Sequence, residues 1–195
     1  MSETIFPDRA SALELFLKYN KSESLLRHAL AVEGVMKYMA AKSGEDAEKW
    51  GIIGLVHDLD YEMYPEQHCA MTKQILADNG WPEEYIRAVV SHGWGIVSDV
   101  EPVTRLEKTL FAMDELTGLV TTSALVRPSK SVMDMEARSV RKKWTDKRFA
   151  AGVDRSVIEK GAAMLGVSLD ELITDCISGM RSVAGDIGLT GTPAE

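Results

Sequence analysis

Apolar residues recur along most of this chain at intervals of three and four, and no long alternating stretch interrupts them. Leu25, Ala29, Val32, Val35, Met36 and Met39 mark one face of a long helix that Ser22 opens and Gly44 ends. Pro7-Asp8 starts a shorter helix before it, running to about Tyr19. Asp46 begins a third, which the run Ile52, Ile53, Leu55, Val56 carries to between Val56 and Leu59. Pro65 is expected to open a helix that holds His68 in its first turn and stops at Asn79-Gly80. Trp81-Pro82-Glu83-Glu84 opens the next, with His92 at its end. Thr104 and Glu107 have the spacing of a capping box, and the helix they start places Leu106, Leu110, Met113, Asp114 and Thr117 on adjacent faces.

The pattern weakens between Thr121 and Arg148, where Arg127-Pro128-Ser129-Lys130 reads as a turn before a basic run. Asp154 then caps a helix ending near Gly166. Ser168 and Glu171 predict a capping box, and Val167 a hydrophobic staple, for a last apolar helix carrying Leu169, Ile173, Cys176, Met180, Val183 and Ile187. The fold class is therefore all-α: one compact helical bundle with a C-terminal helical extension. Residues 1–20 are expected to pack on a core of 21–120, with a basic segment and C-terminal helices over 121–187 and a frayed tail over 188–195.

With 195 residues, 45% of them hydrophobic, the chain can bury a core without disulfides. Its net charge of −8 argues against a general nucleic-acid surface but leaves room for a small phosphorylated ligand at a local basic cluster. Cys69 and Cys176 are too few for a disulfide framework, and Met1 to Ala10 lacks the apolar run of a signal peptide. No segment approaches a membrane span. A cytoplasmic protein is expected, with the last helix buried against its own body or in a homodimer.

The four histidines change the picture. His28 lies on the apolar face of its helix, between Leu25 and Val32, and His57-Asp58 follows a buried run. Asp114 points inward on a third helix. A lone histidine on such a face is more often a hydrogen-bonded core residue than a ligand. Several inward His and Asp residues from separate helices are another matter, because a buried carboxylate is costly and a bound cation offsets the cost. Imidazole and carboxylate ligands suit Fe, Mn, Co, Ni or Zn, with Mg a weaker fit. Adjacent residues in a regular helix do not share a face. His57 and Asp58 can serve one centre only at a helix end or distortion.

His28, His57-Asp58 and Asp114 resemble the H…HD…D signature of the HD-domain metal-dependent phosphohydrolases. The segments Leu25-Leu26-Arg27-His28-Ala29, Gly54-Leu55-Val56-His57-Asp58-Leu59 and Phe111-Ala112-Met113-Asp114-Glu115-Leu116 are similar to those of the family, over roughly residues 20 to 120. Lys142-Lys143 and Arg148 to Val153 look like part of its HDIG-type subgroup of predicted hydrolases. The resemblance implies metal ligation by His28, His57, Asp58 and Asp114. His68 and His92 stand where two-metal members carry further ligands, which implies that Asp58 bridges two ions; over a single ion they would instead contact substrate. The Asp58-to-His68 segment is shorter than is usual. The family's Lys after the HD pair is absent, and Gly93-Trp94-Gly95 replaces the Gly-Tyr-Pro extension of cyclic-dinucleotide phosphodiesterases.

One or two divalent ions would then activate a hydroxide against a nucleotide or other small phosphoester. Asp58 and Asp60 are the candidate catalytic carboxylates: Asp58 to bridge, Asp60 to orient a ligand or to face solvent in a turn. Arg27, Lys130, Lys142 and Lys143 are the candidate substrate contacts, against the alternative of a solvated charged face. Trp94 is the leading aromatic for stacking a base, and Cys69 reads as a small buried residue. Two rival functions share the pattern: a di-iron oxygenase of the same wider fold, and a non-catalytic module stabilised by metal.

Overall fold

The computed structural model describes residues 6–191. Among them are nine α-helices and no strand, only two isolated bridges. They are α1 (Arg9–Tyr19), α2 (Glu23–Ser43), α3 (Ala47–Leu55), α4 (Ala70–Asp78), α5 (Glu83–Val90), α6 (Arg105–Leu125), α7 (Ala137–Arg141), α8 (Arg155–Leu165) and α9 (Leu169–Ser182). None of the described helices is long and apolar enough to cross a membrane.

The two 21-residue helices, α2 and α6, form the centre. α3, α6 and α9 pack on α2, while α8 packs on the outside of α6. The face of α2 expected from its periodicity is the buried one: Ala29, Val32, Val35 and Met36 are fully enclosed. Polar ties sit at the edges of this core. Glu33, buried on α2, takes both a two-pronged bond from Arg9 on α1 (2.6 and 3.0 Å) and one from Lys37 (2.6 Å). Lys42 reaches buried Asp175 on α9 at 2.7 Å. Such buried carboxylates persist only because they are paired.

Caps set the helix limits. Asp8, Asp46, Thr104, Asp154 and Ser168 each accept a first-turn backbone N–H. At α6 the box is reciprocal, Glu107 bonding back to the Thr104 N–H at 2.9 Å. At α9 only the Ser168 half is made, and Glu171 turns instead toward Lys42 at 3.4 Å.

Five features differ from the sequence expectation. α9 ends at Ser182, which leaves Val183 and Ile187, expected on it, in the turns that follow. The segment after Pro65 is a single 3-10 turn, Pro65–Gln67, and His68 stands between it and α4 rather than inside a helix. α6 continues to Leu125, past the point where the apolar pattern fades. The basic run contains a short helix, α7. The segment 188–191 is not frayed: Leu189 is buried, its carbonyl accepts the Val132 N–H at 2.9 Å, and the Ser131 hydroxyl bonds the Thr190 carbonyl at 2.9 Å. The rest of that expected tail, residues 192–195, lies outside the described residues, as do residues 1–5.

Gly179 on α9 lets that helix press against α2. A Cβ there would lie 2.5 Å from the Cα of Val35. Gly179→Val is therefore expected to destabilise the fold by about 1–3 kcal/mol in chemical denaturation, since backbone must move to admit it.

Candidate metal centre

The chain brings the site together by ending a helix at the right residue. α3 stops at Leu55, and Val56 leaves the helical conformation. The next residues follow a series of turns closed by Leu59 N–H to Val56 O, Tyr61 N–H to Asp58 O and Tyr64 N–H to Asp60 O. Released from helical spacing, the adjacent His57 and Asp58 aim at one point. Neighbours clamp the turn. The Asn20 amide donates to the Leu59 carbonyl at 2.8 Å, and Glu62 accepts the backbone N–H groups of Lys21 and Ser22.

Around that point stand His28 from α2, Asp114 from α6, and the pair itself. His28 Nε2 is 3.2 Å from His57 Nε2 and 3.0 Å from Asp114 Oδ1. His57 Nε2 is 3.3 Å from Asp114 Oδ1 and 3.4 Å from Asp58 Oδ2, and His28 Nε2 is 3.7 Å from Asp58 Oδ2. Ligands about 2.1 Å from one ion lie about 3.0–3.4 Å apart at octahedral or tetrahedral angles. Four of the five distances fall in that range, and His28 to Asp58, at 3.7 Å, lies just beyond it. Facing imidazole lone pairs at this distance also need a cation between them.

A second cluster uses the other oxygen of Asp58. His68 Nε2 is 3.1 Å from His92 Nε2, and Asp58 Oδ1 lies 3.5 Å from the first and 3.6 Å from the second. The two carboxylate oxygens thus face two different sets of histidines. All six residues expected as ligands are brought together, and the cluster could hold one or two ions.

Every ring is aimed by its far nitrogen. His57 Nδ1 donates to the Gly54 carbonyl at 2.8 Å and His92 Nδ1 to the Val89 carbonyl at 2.6 Å. His68 Nδ1 bonds Asp60 Oδ1 at 2.7 Å, and His28 Nδ1 lies 3.4 Å from the Thr117 hydroxyl. Asp60 is fully buried and faces no solvent. Its second oxygen accepts the Thr72 N–H at 2.8 Å, while its own N–H donates to the Thr72 hydroxyl. It positions His68 and does not reach the opening itself.

Burial acts to lower the pKa of His57, and the charges of Asp58 and Asp114 more than reverse it, holding the imidazole well above its ordinary value. The same contest at His68, won by the Asp60 hydrogen bond, raises it to about 10. Against a like burial effect, His92 is raised by Cys69 and Asp58. For Asp58 and Asp114 burial would raise the pKa, yet His57 pulls both far below the carboxylate range. The site is an anionic basket that draws cations, protons included.

A cleft of about 470 Å³ opens over the cluster. Leu25, Ile96, Val97, Val153 and Val157 supply its apolar wall, with Tyr61 and Glu115 at the polar positions. Glu115, which sequence reasoning passed over, accepts the Asp154 N–H at 3.1 Å, and burial followed by the nearby Asp114 charge raises its pKa to about 7. The only sequence signal for it was its place beside Asp114. Cys69 is buried with its thiol beside His68 and His92, and its backbone takes the left-handed region at φ 66°.

The expected substrate contacts fare less well. Lys142 and Lys143 border a separate surface cleft with Arg127 and Arg138, and exposed Lys130 lies in the turn after α6. None of the three lines the metal cleft. Arg27 borders a groove next to it. Trp94 is covered by the Lys160 ammonium, 3.4 Å from the ring centre, so that face is closed to a base.

Because His57, His68 and His92 hold protons more tightly than ordinary imidazoles, an entering ion must displace them. Apparent affinity for Mn or Zn is expected to rise with pH between 6 and 8, with proton release visible by calorimetry in buffers of different ionisation enthalpy. Asp60→Asn is expected to weaken one of two binding steps by about 10–100-fold and spare the other.

Residues 25–119 match a family model described as HD domain. Searches of curated proteins and of solved structures give no match. The matched span begins three residues before His28, ends five after Asp114, and includes every residue of the cluster.

Proposed function

We propose that this protein is a metal-dependent phosphohydrolase of the HDIG type, acting on a nucleotide or other small phosphoester. The division of the Asp58 carboxylate carries the reading, because a structural ion needs no shared ligand with one oxygen on each side. The HD domain family is largely one of metal-dependent phosphohydrolases, which supports the same conclusion.

When bound, two divalent ions would lower the pKa of a water to near neutrality and neutralise phosphoryl oxygens. His28, His57, Asp58 and Asp114 would hold one, and Asp58, His68 and His92 the other. The chain's own contribution is placement. Asp60 and the backbone carbonyls of Gly54 and Val89 fix the imidazoles, so little reorganisation accompanies reaction. The apolar wall of the cleft limits water around the reacting phosphate. Glu115, facing the same cleft with its carboxyl raised by burial, is placed to hand a proton to a leaving oxygen.

The direct test is a phosphatase and phosphodiesterase panel run separately with Mn, Co, Ni, Zn and Mg. Turnover is expected with at least one transition metal. Asp58→Ala is expected to remain folded by circular dichroism and to lose all turnover, whereas undiminished turnover contradicts the mechanism. A silent panel from protein that retains iron, with an oxygen-dependent optical change after reduction, would favour a di-iron oxygenase instead.

A further inference from the structure

A groove of about 430 Å³ adjoins the metal cleft and shares His28 and Gly118 with it. Glu23, Ser24, Arg27, Thr121, Thr122 and Leu125 border it, with Ile187 to Leu189. Asp114, Gly118, the pair Thr121 and Thr122, and Leu125 follow one another in steps of three or four. One stripe of α6 therefore runs from the metal ligands into the groove. On α2, Ser24 and His28 do the same from the facing side.

Gly118 lies in the interior of α6, where glycine is less favourable than alanine. Close packing does not demand it. A Cβ at Gly161 or Gly179 would strike a neighbouring helix at 2.4 or 2.5 Å, but at Gly118 it would meet only the Val153 side chain at 3.5 Å, an ordinary contact. What distinguishes the position is that it borders both cavities. A larger side chain there would narrow the junction between them.

Charge points the same way. The metal cleft is lined by no Lys or Arg, and the groove by one, Arg27. Arg27 is half exposed and pairs with the more exposed Glu23 one turn earlier on α2. A surface pair of this kind is weak, so a ligand anion can take its place at little cost.

We propose that the groove is the second half of the substrate site. It receives a distal anionic group, carboxylate or phosphate, of a small phosphoester whose reacting phosphate lies at the metal cluster. Arg27 recognises that group and Gly118 keeps the passage open. The inference rests on the phosphohydrolase reading.

The test compares binding of alkylphosphonates with ω-carboxyalkylphosphonates and α,ω-bisphosphonates of matched chain length to the Mn-loaded protein, by calorimetry. The second anion is expected to add about tenfold in affinity at one or two chain lengths. The series with the larger gain tells whether the groove prefers carboxylate or phosphate. Arg27→Gln should erase the gain and Arg27→Lys restore part of it. Gly118→Ala should raise the thermal midpoint while weakening the longer ligands, a combination that a purely structural glycine would not give. Equal binding of all series at every length, or a gain that survives Arg27→Gln, overturns the groove proposal and leaves the hydrolase reading in place. Failure of every phosphonate to bind the metal-loaded protein sinks both.

Discussion

The structure depends on what one buried carboxylate requires. Asp58 is almost wholly enclosed, with Asp114 nearby, and four imidazoles surround the pair. A buried carboxylate beside a second, partly buried one is costly without positive charge between them. The chain therefore spends several features on holding the turn that carries Asp58: the early stop of α3, the Asn20 amide on Leu59, Glu62 on the start of α2, and Asp60 locked to Thr72. The long helices α2 and α6 serve the same end, since each delivers one ligand from a well-packed face.

Much of this was legible in the sequence because helical periodicity and burial speak together. His28 and Asp114 lie on faces whose other residues are apolar, so their inward direction follows from spacing alone. His57-Asp58 was readable as a pair at a helix end, since regular helix would separate the two. His68 was harder. Pro65 opens only a 3-10 turn, and the chain breaks at His68 and Cys69 before α4 begins, with Cys69 in a left-handed conformation that its residue type does not announce. The same limit applies to 188–191, where a run rich in Gly and Thr is pinned by the Val132 N–H and the Ser131 hydroxyl from far away in sequence.

The basic residues show the opposite error. Lys142 and Lys143 are conspicuous in a sequence of net charge −8, but a charge run carries no information about direction, and α7 turns these side chains toward a different cleft. Beyond the His and Asp cluster itself, the cleft over it is mostly apolar, with one further carboxylate, Glu115. On the proposed function, positive charge for a phosphate would come from the ions and from the one arginine in the adjoining groove.

Anomalous diffraction from crystals grown with Mn, recorded on either side of the metal's absorption edge, tests the central claim most directly. The account predicts two peaks about 3.5–4 Å apart with the Asp58 carboxylate between them. One peak alone, or two with Asp58 bound to only one, would contradict it.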